Sequence, residues 1–371
     1  SLLTTTLAPV NSEIDDHETR ITNLETTNTG PEYLPLIPKL SSTIEFYGDS
    51  ITYGYGLSAP STQRFSYLVG QALTKTEANY GVNSDMTQDL AKRVYDNHVS
   101  GNTAIISIGT NDCLRLPNAT ILDEYIRSLE ATILYCCLPS LKGAITGTGW
   151  KITDTRNVNY VTRSGTWTNA GSYNIGLFSN VVNSYLECTV NGRYVVFDIV
   201  PLTGSSVASH ANISVTIDGV LVQNYYPIIT KTSTSANGAN YCSMLYLYDT
   251  GVSANHTLRI TLTTNGTTLV VSYMGAFDQN QTNASQVFVC CPAIQDSAIL
   301  QEEYSTVTTL NSTIVTYIRD NQKRLVHKLR TEYGLPVYFV DWGEPNFSNF
   351  QPDLLHFNPK GNQYIANRIL Y

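Results

Sequence analysis

Ser50, in the run TIEFYGDSITYG (Thr43 to Gly54), and the pair Asp353 and His356, in PDLLHFNPKG near the end of the chain, are the side chains whose types and spacing point most directly to chemistry. A serine hydroxyl is a weak nucleophile at neutral pH. It needs a base within hydrogen-bond reach, and that base must be held in one tautomer by a third group. Asp353 and His356 lie three apart on a Pro-flanked segment and can supply both from one loop. The three together offer a nucleophile, a base and an orienting carboxylate, a set suited to hydrolysing an ester.

The surrounding residues say which elements must position them. Ile44, Phe46 and their β-forming neighbours read as a short buried strand, and Gly48 with Asp49 turns the chain so that Ser50 opens the next helix. TAIISIGTNDC (Thr103 to Cys113) is an apolar run ending in Gly109, Thr110, Asn111 and Asp112. It reads as a buried parallel strand delivering a polar loop at its C-terminal end, where open α/β sheets place their sites. NYGVNSDMTQDL (Asn79 to Leu90) sets Gly81 on a tight turn before a helix, where a backbone N–H can approach a ligand closely. Asp49 is expected to shape its turn and Asp112 to be structural, and Asn111 has an alternative as a loop-capping amide. His98, His210, His256 and His327 are read as surface or packing residues.

These four segments resemble the four blocks of the SGNH (GDSL-type) hydrolases, in matching order. The resemblance implies Ser50 as nucleophile, His356 as general base and Asp353 as its partner. It implies an oxyanion hole made by the N–H of Ser50, the N–H of Gly81 and the side-chain amide of Asn111, with no cofactor and no metal. It covers residues 43 to about 140 and 287 to 371. One departure is visible: Ser84 stands where the second block often carries another glycine. The Gly-x-Ser-x-Gly elbow of α/β-hydrolases is not met, because Thr52 occupies the last position.

Composition narrows the partners. A net charge of -8 and a pI near 5.2 argue against a nucleic-acid partner. No run approaches the roughly 18 apolar residues of a membrane span. The first residues lack the basic stretch and apolar core of a signal peptide, which says little about export. The 7 cysteines show no metal-ligand spacing, and Cys136-Cys137 and Cys290-Cys291 sit in apolar runs that read as core.

Along the chain, Leu7, Val10, Ile14, His17, Ile21 and Leu24 fall at the a and d steps of a heptad pattern, stopped by Gly30 and Pro31. Residues 1–30 therefore read as the end of a coiled-coil stalk or as a frayed leader. Ile at a with Leu at d favours two strands, whereas the resemblance of this leader to phage tail fibres and spikes implies a homotrimer. From residue 142 to 286 the pattern changes to alternating strands around Asn191-Gly192, Asp218-Gly219 and Asn265-Gly266, read as hairpin turns of an inserted antiparallel β-sandwich, jelly-roll-like. The hydrolase fold, a three-layer α/β/α sandwich with a parallel sheet, is thus expected in two parts, 31–141 and 287–371. Leu310, Ile314, Ile318, Leu325 and Leu329 mark one face of a long helix in the second part, and LPVYFVDW a buried strand.

Trp150, Tyr160, Trp167, Tyr173, Tyr225 and Tyr226 in the insert form either a sugar-stacking surface or sandwich core. An SGNH domain with an accessory sandwich resembles carbohydrate esterases. With the leader added, the whole resembles a virion tail spike or fibre, an extracellular assembly that removes O-acetyl groups from an acetylated bacterial surface polysaccharide. Two alternatives stand beside this: a lipid or thioester hydrolase on the same scaffold, and a receptor-binding adhesin whose esterase is secondary.

Overall fold

The structure is a computed structural model that describes residues 40–370, apart from 116–118, 138–149, 155–160, 170–176, 200–211, 226–243, 265–268, 279–284, 293–311, 344 and 346. The heptad stretch 1–30, Tyr160, Tyr173, His210, Tyr226, Asn265-Gly266 and Leu310 lie outside the described residues. Residues 40–371 form one compact unit.

In chain order, β1 (Thr43–Gly48) leads into the one-turn helix α1 (Ser50–Tyr53), then α2 (Pro60–Gln63), α3 (Phe65–Leu73), β2 (Thr76–Gly81), α4 (Thr87–Asn97), β3 (Thr103–Ser107), α5 (Thr110–Arg115) and α6 (Ala119–Cys137). A run of strands follows: β4 (Trp150–Asp154), β5 (Val161–Ser164), β6 (Thr168–Asn169), β7 (Leu177–Ser179), β8 (Tyr185–Ile199), β9 (Ile213–Ile217), β10 (Val220–Tyr225), β11 (Met244–Leu262) and β12 (Leu269–Phe277). The chain returns through β13 (Val287–Cys290), α7 (Ser312–Thr331), β14 (Val337–Val340) and α8 (Pro359–Leu370).

The first sheet is parallel throughout, in the order β14-β13-β3-β1-β2. Parallel sheets need cover on both faces, and alternate side chains supply it. Ile44 and Phe46 of β1, Ile105 and Cys290 pack with Phe65 and Val69 of α3 and Ile365 and Ala366 of α8. Tyr47, Ile106, Val289 and Val337 face the other way, onto Leu90 and Val94 of α4, Leu129 and Ile133 of α6, and Ile318, Leu325 and Leu329 of α7. This is the expected three-layer α/β/α arrangement. The 6 described cysteines are buried and free. Among the described residues, no helix is long and apolar enough to cross a membrane.

The second sheet is antiparallel and turns on two long strands. β8 and β11 pair along most of their length, with an irregularity between Asp249 and Ala254. The first half of β8 is flanked by β5 and the second half by β12, while the far half of β11 takes β9. Inward residues of both halves, such as Leu186, Cys188 and Ile260 from one and Val195, Phe197 and Met274 from the other, form a single buried cluster, so the sheet folds over itself as a sandwich.

Two hairpin expectations are corrected. Asn191-Gly192 is no turn: β8 continues through it. The inward positions change from even (186, 188, 190) to odd (195, 197, 199) across it, as expected of a strand corner opposite a bulge. Gly192 has φ 145, and a side chain there would run into the backbone of Phe277. The strands on either side of residues 265–268, β11 and β12, do not pair with each other, because β8 lies between them. The third expectation matches the fold: Asp218 and Gly219, with φ 53 and 78, join β9 to β10, with Val220 opposite Ile217.

The sandwich shares a core with the hydrolase layer. The other face of β8 and β12 puts Tyr194, Val196, Tyr273 and Phe277 into the cluster built on α6 and α7. The Tyr194 hydroxyl donates to the Glu332 carbonyl at 2.8 Å, and the Tyr135 hydroxyl of α6 donates to Asp198 Oδ2 at 2.6 Å.

Candidate active site

All the expected chemical groups lie at or just beyond the C-terminal ends of parallel strands. β1 ends at Gly48, and Asp49 caps α1 by accepting from the Ile51 N–H at 2.9 Å. Ser50 is thereby the first helical residue, whose own N–H has no acceptor within the helix. Asn79 fixes α1 from below: its amide donates to the Thr52 carbonyl and to Ser66 Oγ, both at 2.7 Å.

The His356 loop follows β14. Gln351 N–H donates to the His356 carbonyl at 2.7 Å, Phe350 bridges Phe357, and their rings lie 4.5 Å apart in the core. Asn358 caps α8 by accepting from the Gly361 N–H at 3.0 Å, with Pro359 at the first helical position. Between Asp353 and His356 the chain curls through Leu354 in the left-handed region, φ 56, a conformation that costs a non-glycine residue on the order of 1 kcal/mol. The curl folds the carboxylate back onto the loop.

The result is one continuous chain of hydrogen bonds. Ser50 Oγ lies 2.8 Å from His356 Nε2, and His356 Nδ1 lies 2.6 Å from Asp353 Oδ2. The other oxygen, Asp353 Oδ1, accepts from the N–H groups of His356 and Leu355 at 3.0 and 3.1 Å. Burial works to raise the Asp353 pKa, but these N–H donors and the imidazole outweigh it and hold the carboxyl below its usual value. A carboxylate at Nδ1 keeps that nitrogen protonated and leaves Nε2 to accept the Ser50 proton.

Asn111, on α5, is nearly buried and donates one amide hydrogen to the Asp85 carbonyl at 2.9 Å. An amide has two such hydrogens, so one is left for a ligand. Its neighbour Asp112 accepts from the Thr87 N–H and hydroxyl, both at 3.1 Å, and so ties α5 to the start of α4, the structural part expected of it. Gly81 is placed differently from its expected part. Its N–H donates to Asn79 Oδ1 at 3.0 Å, and its Cα lies where any side chain would collide with the backbone of Thr52 and Tyr53. Its glycine is needed for close passage of β2 beneath α1. Ser84, three residues on, has φ 65, which is why glycine is favoured at that point. The departure from the block pattern was the signal for it.

Under these groups lies a buried acidic cluster. The Asp49 carboxyl is pushed up to about 7 by burial, with Asp112 and Asp85 adding to the shift and the Ile51 N–H opposing it. Asp112 is likewise pushed up to about 7 by burial, against the pull of Thr87. Asp85 rises to about 6 through burial, against its ion pair with Arg93. Among the described residues, no group of three or more His, Cys, Asp or Glu could hold a metal ion. A raised carboxyl keeps its proton in the folded state where the unfolded chain, with a pKa of about 3.9, has lost it. Stability from this cluster is therefore present near pH 4 and is lost as pH rises towards 7. Asp112→Asn should consequently be less destabilising at pH 7.5 than at pH 4.5, by on the order of 1 to a few kcal/mol, measured by urea unfolding at both pH values.

The described histidines outside the site behave as packing or surface groups. His98 bonds Glu45 at 2.6 Å, His256 bonds Asp218 at 2.8 Å, and His327 is exposed. Of the aromatic residues considered for sugar stacking, Trp167 packs against the sandwich core and donates its indole N–H to the Ser164 carbonyl at 3.0 Å. Trp150 lies in β4 opposite Phe277, and Tyr225 in β10 opposite Ile213.

Residues 46–165 match the model of the GDSL-like Lipase/Acylhydrolase family, a span that holds Ser50, Gly81 and Asn111. No curated protein matches the chain. Among solved structures, it is similar to a two-domain esterase active on acetylated mannans, co-crystallized with mannopentaose, at 11% identity over 64% of this chain and 91% of that one, TM-score 0.36. It is similar to a lipolytic G-D-S-L family member from Veillonella parvula at 10% identity, over 88% and 96% of the two chains, TM-score 0.38. Over 33% of this chain and 97% of the other, it is similar to a CBM36 carbohydrate-binding module in complex with calcium and xylotriose, at 12% identity and TM-score 0.26. The family match thus covers the nucleophile block together with β2 and β3 of the parallel sheet.

Proposed function

We propose that the protein is a serine esterase that removes O-acetyl groups from a bacterial surface polysaccharide, with Ser50 as nucleophile, His356 as general base and Asp353 as its partner. The observation that carries this reading is the unbroken bonding from Ser50 Oγ through His356 to Asp353. Ser50 attacks the acetyl carbonyl while His356 Nε2 takes its proton. The N–H of Ser50 and the free amide hydrogen of Asn111 hold the oxyanion. Gly81, its N–H engaged by Asn79, supports α1 instead. Collapse expels the sugar oxygen, which takes the proton from His356. A water, deprotonated by the same nitrogen, then attacks the acetyl-enzyme and releases acetate.

Ser50 and Asn111 are both largely buried, at 8% and 7% exposed. The carbohydrate reading is further supported by a β-sandwich fused to the α/β core, and by the exposed Tyr53 at the end of α1 and Tyr55 just past it. A trimeric virion tail spike or fibre is the setting we propose, on the resemblance of residues 1–30 to the leaders of phage tail fibres and spikes, although Ile at a with Leu at d by itself favours two strands.

The test is acetate release from a panel of acetylated bacterial surface polysaccharides and from their chemically deacetylated forms. Release from the acetylated forms alone is expected. Preference for long-chain acyl esters over every acetylated glycan would contradict the reading. Asn111→Ala should lower kcat by about 10² to 10³-fold, because it removes a donor used most fully in the transition state. A change confined to KM would show Asn111 binding substrate without stabilising the oxyanion.

A further inference from the structure

Tyr55 lies just past the end of α1, and the residue is 49% exposed although it sits at the heart of the site. Its centroid is 4.7 Å from that of the His356 ring, at an angle of 47°. Backbone bonds fix its place against both halves of the triad. The Tyr55 N–H donates to the Ser50 carbonyl at 3.0 Å, and the Gln351 side chain donates to the Tyr55 carbonyl at 2.8 Å. The same Gln351 donates its own N–H to the His356 carbonyl. The ring is thus held relative to Ser50 and His356 while leaving much of its surface open.

The chemistry says what comes next to it. In acylation the proton on His356 Nε2 passes to the leaving oxygen, so that oxygen must lie within hydrogen-bond reach of Nε2, with the rest of the leaving group alongside the imidazole. A ring already packed on that imidazole borders the leaving-group side. An exposed, rigid, amphipathic ring is the surface that the C–H face of a pyranose packs on.

We propose that Tyr55 is the stacking platform for the sugar ring that bears the scissile acetyl group. This rests on the acetylated-glycan reading above. The insert's own tryptophans and tyrosines are not needed for it. The rival role for Tyr55 is as a prop for the imidazole, stabilising its protonated form through the ring face.

Two acetates separate these roles: an O-acetylated methyl pyranoside, and ethyl acetate, which has the same acyl group and no ring to stack. Wild type is expected to prefer the sugar acetate in kcat/KM. Tyr55→Ala should lower the ratio of the two kcat/KM values by about tenfold, while Tyr55→Phe and Tyr55→Trp keep most of it. Equal losses on both substrates in Tyr55→Ala would overturn the proposal in favour of the prop. A loss of the ratio in Tyr55→Phe as large as in Tyr55→Ala would overturn it in favour of the hydroxyl. If wild type itself shows no preference for the sugar acetate, the substrate reading fails, and that outcome is visible before any variant is compared.

Discussion

Ser50→Ala lowers kcat/KM for acetyl esters by about 10⁴ to 10⁶-fold, the loss expected when a triad loses its nucleophile and only the oxyanion donors and binding remain. The substitution is small and leaves the frame intact. Asp49 still caps α1 through the Ile51 N–H, Asn79 still holds Thr52, and the His356 loop keeps its own bonds to Asp353 and Gln351. The loss should therefore appear in turnover with the melting temperature almost unchanged. Steady-state acetate release beside a thermal melt checks both. An unfolded variant would show as a lowered melting temperature, and an intact variant with wild-type turnover would remove Ser50 from the mechanism.

Asp353→Asn is expected to lower kcat by about 10⁴-fold, for a different reason. The amide oxygen can still accept from the N–H groups of His356 and Leu355, so the curl through Leu354 persists. Its NH₂ group then faces His356 Nδ1 where a carboxylate oxygen stood. Nδ1 must become the acceptor, the proton moves to Nε2, and Nε2 can no longer take the proton of Ser50. Because the N–H donors and imidazole hold the Asp353 pKa below its ordinary value, its charge contributes stability above about pH 4 that is lost only as pH falls through the folded pKa. The wild-type carboxylate is therefore ionised across the neutral range, and the variant's deficit should persist through it. A kcat–pH profile of both proteins from pH 5 to 9 tests this. A variant within tenfold of wild type would mean that the imidazole is oriented by its loop alone.

Much of the site could be read from sequence because its signals are local. Ser50 follows a buried strand and a Gly-Asp turn, and Asp353 and His356 share one loop, so residue type and short spacing sufficed. Gly81 was assigned on its turn position. What its N–H meets is a side chain two residues back, Asn79, and spacing does not reveal such a contact. In the sandwich, Asp218-Gly219 gave a true hairpin, while Asn191-Gly192 did not, since the same dipeptide suits a corner within a long strand. The pairing of β8 with β11 joins residues far apart in sequence, beyond the reach of local alternation. One clue to the docked face was present. From Tyr194 to Ile199 the strand YVVFDI is apolar at every position but Asp198, the mark of a strand buried on both faces, and those apolar residues split between the sandwich core and the core shared with α6 and α7.

The central claim is that Ser50, activated by His356, is the nucleophile. The most direct measurement is titration with a fluorophosphonate, followed by peptide mass spectrometry. The prediction is one phosphonyl group per chain, on Ser50, with activity lost in proportion to labelling and no labelling of Ser50→Ala. Full activity with Ser50 labelled, or inactivation through a different residue, would contradict it.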